Sequence, residues 1–286
     1  MDRRTMEETA AGQAAADRAN TDRAAAGQAE IGRADTGRAE IGRQAAGWAD
    51  AGWAGRAAYP ALVAALDGMA EEAYRAFSER LIPAGPPLRG VRLPQLQRLA
   101  AAIARGDAAG FLRAARDDSF EEVVLQGLVI GRLREPGEAV VRRLRAFLPK
   151  VANWSICDST CAGLRQVRRD PQPFWKFAFS CLSSPDEFTV RVGAVLLLDH
   201  FIDESHIDRV LPALAGVTHE GYYAKMAVAW ALSVCFVKFE ARTAPLLDQR
   251  LDPETRRLTV RKICESRRVA PAVKAALRAG TGRTEK

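Results

Sequence analysis

The chain has 286 residues, 48% of them hydrophobic, which is enough for one sizeable core and excludes a short peptide or a fibre. Its 42 Lys and Arg against 35 Asp and Glu leave a formal charge of +7. No apolar run is long enough to read as a membrane span, and the charged first residues do not read as a signal peptide, so neither insertion nor secretion is expected.

Residues 1–55 are rich in Ala, Gly, Gln, Asp and Arg, recurring as GQAAADRA, GQAEIGRA and AGWADAGWAG. Such a tract has helical propensity but little apolar surface to bury, so it is expected to be a mostly disordered tail. It holds seven Arg and nine Asp or Glu, so the positive charge belongs to residues 56–286, with 35 basic and 26 acidic side chains. That excess suits a polyanionic partner through Coulomb attraction and counterion release, and would also serve solubility.

From Tyr59 onward, stripes with a period near 3.6 follow one another between Pro, Gly and Asp. In chain order they are LVAALDGMAEEAYRAFSERL, LPQLQRLAAAIAR, AAGFLRAAR, FEEVVLQGLVIGRL, GEAVVRRLRAFLPK, FWKFAFSCL, FTVRVGAVLLLDHF, IDRVLPALAGV, YYAKMAVAWALSVCFVKF, TAPLLDQRL, PETRRLTVRKICESR and AVKAALRAG. No segment alternates long enough for a strand. The body, residues 56–286, is therefore expected to be all-α. Short connections and pairs of roughly 35–40 residues point to stacked helical pairs of HEAT-like length.

Between the first two stripes, Leu88-Arg89-Gly90-Val91-Arg92-Leu93-Pro94 reads as a turn into a helix, with Gly90 relieving backbone crowding and Pro94 in the first turn. Its amides are either a structural turn or an anion site. Further on, Asn153-Trp154-Ser155-Ile156-Cys157-Asp158-Ser159 is the densest constellation. A helix starting near Asn153 places Trp154 and Asp158 on one face. An Asp beside a Trp suits a general base, or an anion opposite a developing cation, with the indole as a stacking face. The alternative is a Trp packed between repeats and an Asp that caps a helix or pairs with an Arg.

Arg165, Arg168 and Arg169 follow at spacings that suit phosphates or an ordinary solvated face. Arg191 lies inside an otherwise apolar helix, where its guanidinium needs an acid or a phosphate; Asp199, eight residues on, is too far along to be its nearest partner. Tyr222 to Leu232 is narrow at Ala and bulky at Tyr and Trp, with Trp230 either core or ligand-facing, and it also carries Lys225. In KICESRRV, Lys262 and Glu265 read as a salt-bridge face, and Arg267 and Arg268 as candidate phosphate contacts.

The three His, at 200, 206 and 219, lack metal-site spacing, and the five Cys, at 157, 161, 181, 235 and 264, form no CxxC pair. No metal or cofactor is expected. The odd Cys count fits a reducing cytoplasm.

YRAFSERLIP followed by LRGVRLPQLQRLA, then VANWSICDS, EFTVRVGAVLLLDHFID, GYYAKMAVAWALSVCFVKF and KICESRRV together resemble the AlkD-type DNA alkylation repair family of HEAT-like repeat glycosylases over roughly residues 60–280. The resemblance implies a right-handed α-solenoid whose concave surface holds duplex DNA. It implies hydrolysis of the N-glycosidic bond of cationic alkylated purines such as 3-methyladenine and 7-methylguanine by a cofactor-free monomer. Trp154, Asp158, Arg191 and Trp230 would line the lesion site: Asp158 would stabilise the developing sugar cation and handle water, the indoles would pack against the deoxyribose, and Arg191 would hold a phosphate. Arg165, Arg168, Arg169, Lys225, Arg267 and Arg268 would make further phosphate contacts. A noncatalytic HEAT-like module that binds DNA or RNA structure is the alternative.

Overall fold

The structure, a computed structural model, describes residues 58–82 and 84–281, so the expected tail over 1–55 lies outside the described residues. Among these residues there are 14 α-helices and no strand. They are α1 (Tyr59–Met69), α2 (Glu72–Glu79), α3 (Leu93–Arg105), α4 (Ala108–Ala114), α5 (Phe120–Ile130), α6 (Gly137–Phe147) and α7 (Trp154–Ala162), followed by α8 (Pro171–Leu182), α9 (Glu187–His200), α10 (Ile207–Ala215), α11 (Tyr222–Lys238), α12 (Glu240–Gln249), α13 (Pro253–Glu265) and α14 (Pro271–Thr281). The helix starts follow local chemistry. Asp107, Asn153, Asp186 and Asp252 each accept a backbone N–H of the first turn. Pro171, Pro253 and Pro271 occupy first positions, where a missing N–H costs nothing.

Two ranks emerge from the packing. Helices α3, α5, α7, α9, α11 and α13 each pack on the next, and α6, α8, α10 and α12 form a second rank behind them. Helix α8 also packs on α9, and α10 and α12 pack on α11. This is the stacking of helical pairs that the periodicity predicts. One apolar core runs from Tyr59 to Cys235, and a smaller cluster of Phe236, Leu247, Ile263 and Val269 closes the C-terminal end.

Front-rank helices run in the same direction, because their like ends are tied together. At the starts, Glu187 of α9 accepts the Tyr223 N–H of α11 at 2.5 Å, and Lys225 of α11 reaches Glu254 of α13 at 2.9 Å. At the ends, the Arg165 N–H donates to the Gly131 carbonyl at 3.0 Å, His200 Nε2 meets the Cys161 carbonyl at 3.0 Å, and Lys238 Nζ donates to the Ile202 carbonyl at 3.0 Å. Close approach between ranked helices needs small residues. A Cβ on Gly127 of α5 would collide with the Thr160 hydroxyl of α7.

Residues 62–81, expected as one helix, are two. Ala70 and Glu71 are extended, and the Glu71 N–H donates to the Gly90 carbonyl at 3.0 Å. The break is made by the distant turn that crosses there, which periodicity within the segment cannot reveal. Gly90 has φ +95, and a Cβ there would sit 2.6 Å from the Glu71 carbonyl oxygen.

The amides of that turn do bind an anion, and it is the protein's own. Glu121 of α5, 1% exposed, accepts the N–H groups of Arg89, Gly90 and Val91 at 2.9, 2.7 and 3.0 Å. Its neighbour Glu122, 2% exposed, accepts the Tyr59 hydroxyl and the Ser119 hydroxyl. Burial and the Glu122 contact push the Tyr59 phenol well above its ordinary range. Replacing Glu121 by Gln puts an NH2 among three donors, and the expected loss is about 2 kcal/mol, read as a lower urea midpoint at unchanged m-value. Gly90→Ala is expected to cost about 1–3 kcal/mol by the same measurement, because it combines a left-handed φ with a backbone collision.

Candidate nucleic-acid interface

The site is built outward from the first turn of α7. Asn153 accepts the Ile156 N–H at 3.1 Å and donates its amide to the Ala84 carbonyl at 2.8 Å, which ties the start of α7 to the segment after α2. Trp154, the first residue of the helix, is half-buried, and its indole N–H donates to the Leu81 carbonyl at 3.1 Å. The ring is therefore held in place, with its polar edge used internally. Asp158 follows one turn later.

Arg191 finds its anion in Asp158. The contact is a two-point fork, Nε to Oδ1 at 2.9 Å and Nη2 to Oδ2 at 2.8 Å, while Nη1 donates to the Tyr223 carbonyl at 3.2 Å. The Arg191 side chain is 6% exposed and that of Asp158 23%. Burial works against the charge on Arg191, and the Asp158 carboxylate more than offsets it, so its pKa is raised. This answers the sequence requirement for a tertiary acid. It also alters the expected role of Arg191: the guanidinium directs all three nitrogens to protein oxygens, so it positions Asp158 instead of presenting a fork to a phosphate.

The next helix adds an aromatic stripe. Tyr222, Met226 and Trp230 of α11 recur at four-residue spacing and are all half-buried. Tyr223 stacks on Phe188 of α9 with ring centroids 5.3 Å apart, and Tyr222 meets Tyr223 edge-on at 5.3 Å. Trp154 and Asp158 of α7, Arg191 of α9 and Trp230 of α11 thus come from three successive helices of the front rank.

The basic candidates divide. Arg165, Arg168 and Arg169 are exposed on the 3-10 turn Arg165–Arg168 and just beyond it, without an ion pair among the described residues. Arg132, at the end of α5, was not singled out from sequence. Glu135 three residues on looks like its partner, yet Glu135 pairs with Arg143 at 2.6 Å. Arg132 donates to the Leu128 carbonyl at 2.9 Å, its buried Nε has no partner among the described residues, and burial together with repulsion from Arg165 lowers its pKa. Cations thus accumulate at the ends of α5 and α7, where helix dipoles favour them.

Arg267 and Arg268 are exposed beyond α13, outside the Lys262–Glu265 pair at 3.0 Å that forms the expected salt-bridge face. Lys225 is different. Its side chain is 8% exposed and lies 2.7 Å from Glu220, 2.9 Å from Glu254 and 3.7 Å from Asp252, so it joins α11 to α13 and is not free for a phosphate. Glu220 first, against the opposing effect of burial, raises its pKa. No helix among the described residues is long and apolar enough to cross a membrane.

The model of the DNA alkylation repair enzyme family matches residues 62–256, more than half of the chain. The chain belongs to this family. The matched span runs from α1 to α13 and includes both sides of the Asp158–Arg191 pair, and the family takes its name from enzymes that repair alkylated DNA. No curated protein and no solved structure gives a significant match.

For a repair enzyme of this family, the pair is testable through stability alone. Arg191→Leu is expected to cost about 3 kcal/mol, because it removes the buried partner of a carboxylate and an anchor of α11. Arg191→Lys should recover less than half of that, since an ammonium cannot span both carboxylate oxygens. Thermal and urea unfolding check both.

Proposed function

We propose that the chain is a DNA glycosylase that hydrolyses the N-glycosidic bond of cationic alkylated purines, such as 3-methyladenine and 7-methylguanine, in duplex DNA. The main support is the Asp158 carboxylate. It is held by a buried arginine yet partly exposed, one turn from Trp154 and one helix removed from the Trp230 stripe. An alkylated purine already carries positive charge and leaves readily, so the enzyme's task is to stabilise the oxocarbenium character that develops on the sugar. A carboxylate whose position is fixed before the reaction does that without reorganising. Indole faces provide cation contact on either side. The arginines at 132, 165, 168 and 169 offer guanidinium groups for the strand backbone, joined at the far end by Arg267 and Arg268.

A second reading is a noncatalytic module that binds duplex DNA. It is favoured by the same ion pair seen as a seam between repeats, since a buried arginine needs its acid whether or not a reaction follows. Release of free base from methylated duplex separates the two. The parent protein should release base above the spontaneous rate, and Asp158→Asn should slow release at least about tenfold, a barrier change of about 1.4 kcal/mol. Binding without release by both proteins would favour the module. Affinity should fall steeply with salt, and removing Arg165 and Arg168 together should reduce the slope of log K against log[salt] by about 1–2.

A further inference from the structure

Trp154 occupies the first position of α7, where there is no preceding helical turn for the ring to pack against. Its orientation therefore depends on the indole N–H, which donates to the Leu81 carbonyl at 3.1 Å. Leu81 lies just past α2, a helix that makes only slight contact with the other described helices. Ile82 packs against the main core on one side. On the other side, the Leu81 carbonyl is fixed by the start of α7 itself.

Asn153 makes that link, and it uses both halves of its amide. The oxygen accepts the Ile156 N–H at 3.1 Å, which caps the helix, and the nitrogen donates to the Ala84 carbonyl at 2.8 Å. Capping alone does not call for asparagine, since Ser, Thr or Asp also supply the oxygen. Among these caps, asparagine is the one that carries an acceptor on one atom and a donor on another. The residue is 0% exposed, so the protein and not water satisfies both atoms. Gly85 completes the contact. Its φ is +124, and a Cβ there would stand 3.0 Å from the Asn153 amide nitrogen and 3.7 Å from the Ala152 Cβ.

We propose that Asn153 is a positioning residue for the glycosylase site: through the chain at Ala84 and Gly85 it sets the Leu81 carbonyl, and through that carbonyl the orientation of the Trp154 indole. This rests on the glycosylase reading above. Asn153 is enclosed and does not itself meet the substrate. What it controls is how the indole face stands one turn before Asp158, and a contact with a developing cation weakens when the ring is displaced even slightly. Consecutive residues, Asn153 and Trp154, thus bind the same short stretch of chain and brace α7 at an end where helices ordinarily fray.

The test is a mutant cycle on single-turnover base release from methylated duplex by the full chain, with spontaneous loss subtracted. Asn153→Ser keeps a capping oxygen but is too short to reach Ala84. It should release base about tenfold more slowly while binding the same duplex within about twofold of the parent. Gly85→Ala strains the same stretch from outside α7 and should give the same pattern. Trp154→Phe keeps an aromatic face and removes the indole N–H, and in that background Asn153→Ser should have almost no further effect. A cap that serves stability alone predicts equal losses in both backgrounds, and that result overturns the assignment. An Asn153→Ser protein that keeps the parent rate does the same, and either outcome leaves the glycosylase reading standing. No release by the parent overturns both.

A readout without DNA checks the contact. The Trp154 indole N–H, bonded internally in the parent, should exchange with solvent at least about tenfold faster in Asn153→Ser and Gly85→Ala, followed by NMR of the isotope-labelled indole. Backbone amides of α7 should keep their parent exchange rates in Gly85→Ala, which separates a displaced contact from a melted helix. An unchanged indole exchange rate in both variants overturns the proposal.

Discussion

A guanidinium placed between α7 and α9 cannot be left without an anion, and this constraint organises the middle of the molecule. Arg191 lies among Val190, Val192 and Ala194, all buried, on a helix that packs on both α7 and α11. Its two-point contact with Asp158 and its bond to the Tyr223 carbonyl tie three successive front-rank helices at one side chain. Such a contact adds little net stability over a well-packed apolar alternative, but it allows only one registry, since the fork and the carboxylate must meet in a plane. The register of α7 against α9 thereby sets where Trp154 and the α11 aromatics stand.

Electrostatics vary along the front rank. Towards the helix starts, cations are matched by acids: Lys225 has three carboxylates, and Arg89 reaches Asp67 and Glu122. Towards the ends of α5 and α7, Arg132, Arg165, Arg168 and Arg169 have no acid partner among the described residues. Charge matching at one edge supports folding, and its absence at the other leaves positive potential for a polyanion, although both edges belong to the same helices.

Much of this was legible in the residues, and what was not has a common cause. Helix positions follow from the 3.6 period together with Asp, Asn and Pro at helix starts, because these are local effects. The requirement for an acid near Arg191 was legible too, since an apolar helix cannot house an unpaired charge, but its identity lies 33 positions back in sequence and needed the fold. Glu121 and Glu122 mislead a periodic reading, which expects acids at the surface. They are buried because they serve the turn before α3 and the Tyr59 hydroxyl. The break at Ala70 and the lack of an acid for Arg132 were hidden for the same reason, being decided by Gly90 and by Arg143 in other segments.

The two-rank stacking has a consequence for how the molecule opens. Each helical pair is held mainly by the pairs before and after it, so cooperativity passes along the array from neighbour to neighbour, as in a one-dimensional chain. In such an array the outermost units fray first and the central ones open only with everything around them. The seams flanking α9 are central, with core continuing towards Tyr59 on one side and to the Phe236 cluster on the other. Amide protons of α9 should therefore exchange only through near-global unfolding, and those of α1 and α14 through local fraying. The part of the molecule that has to hold a charged pair in register is the part whose opening is the rarest event in the chain.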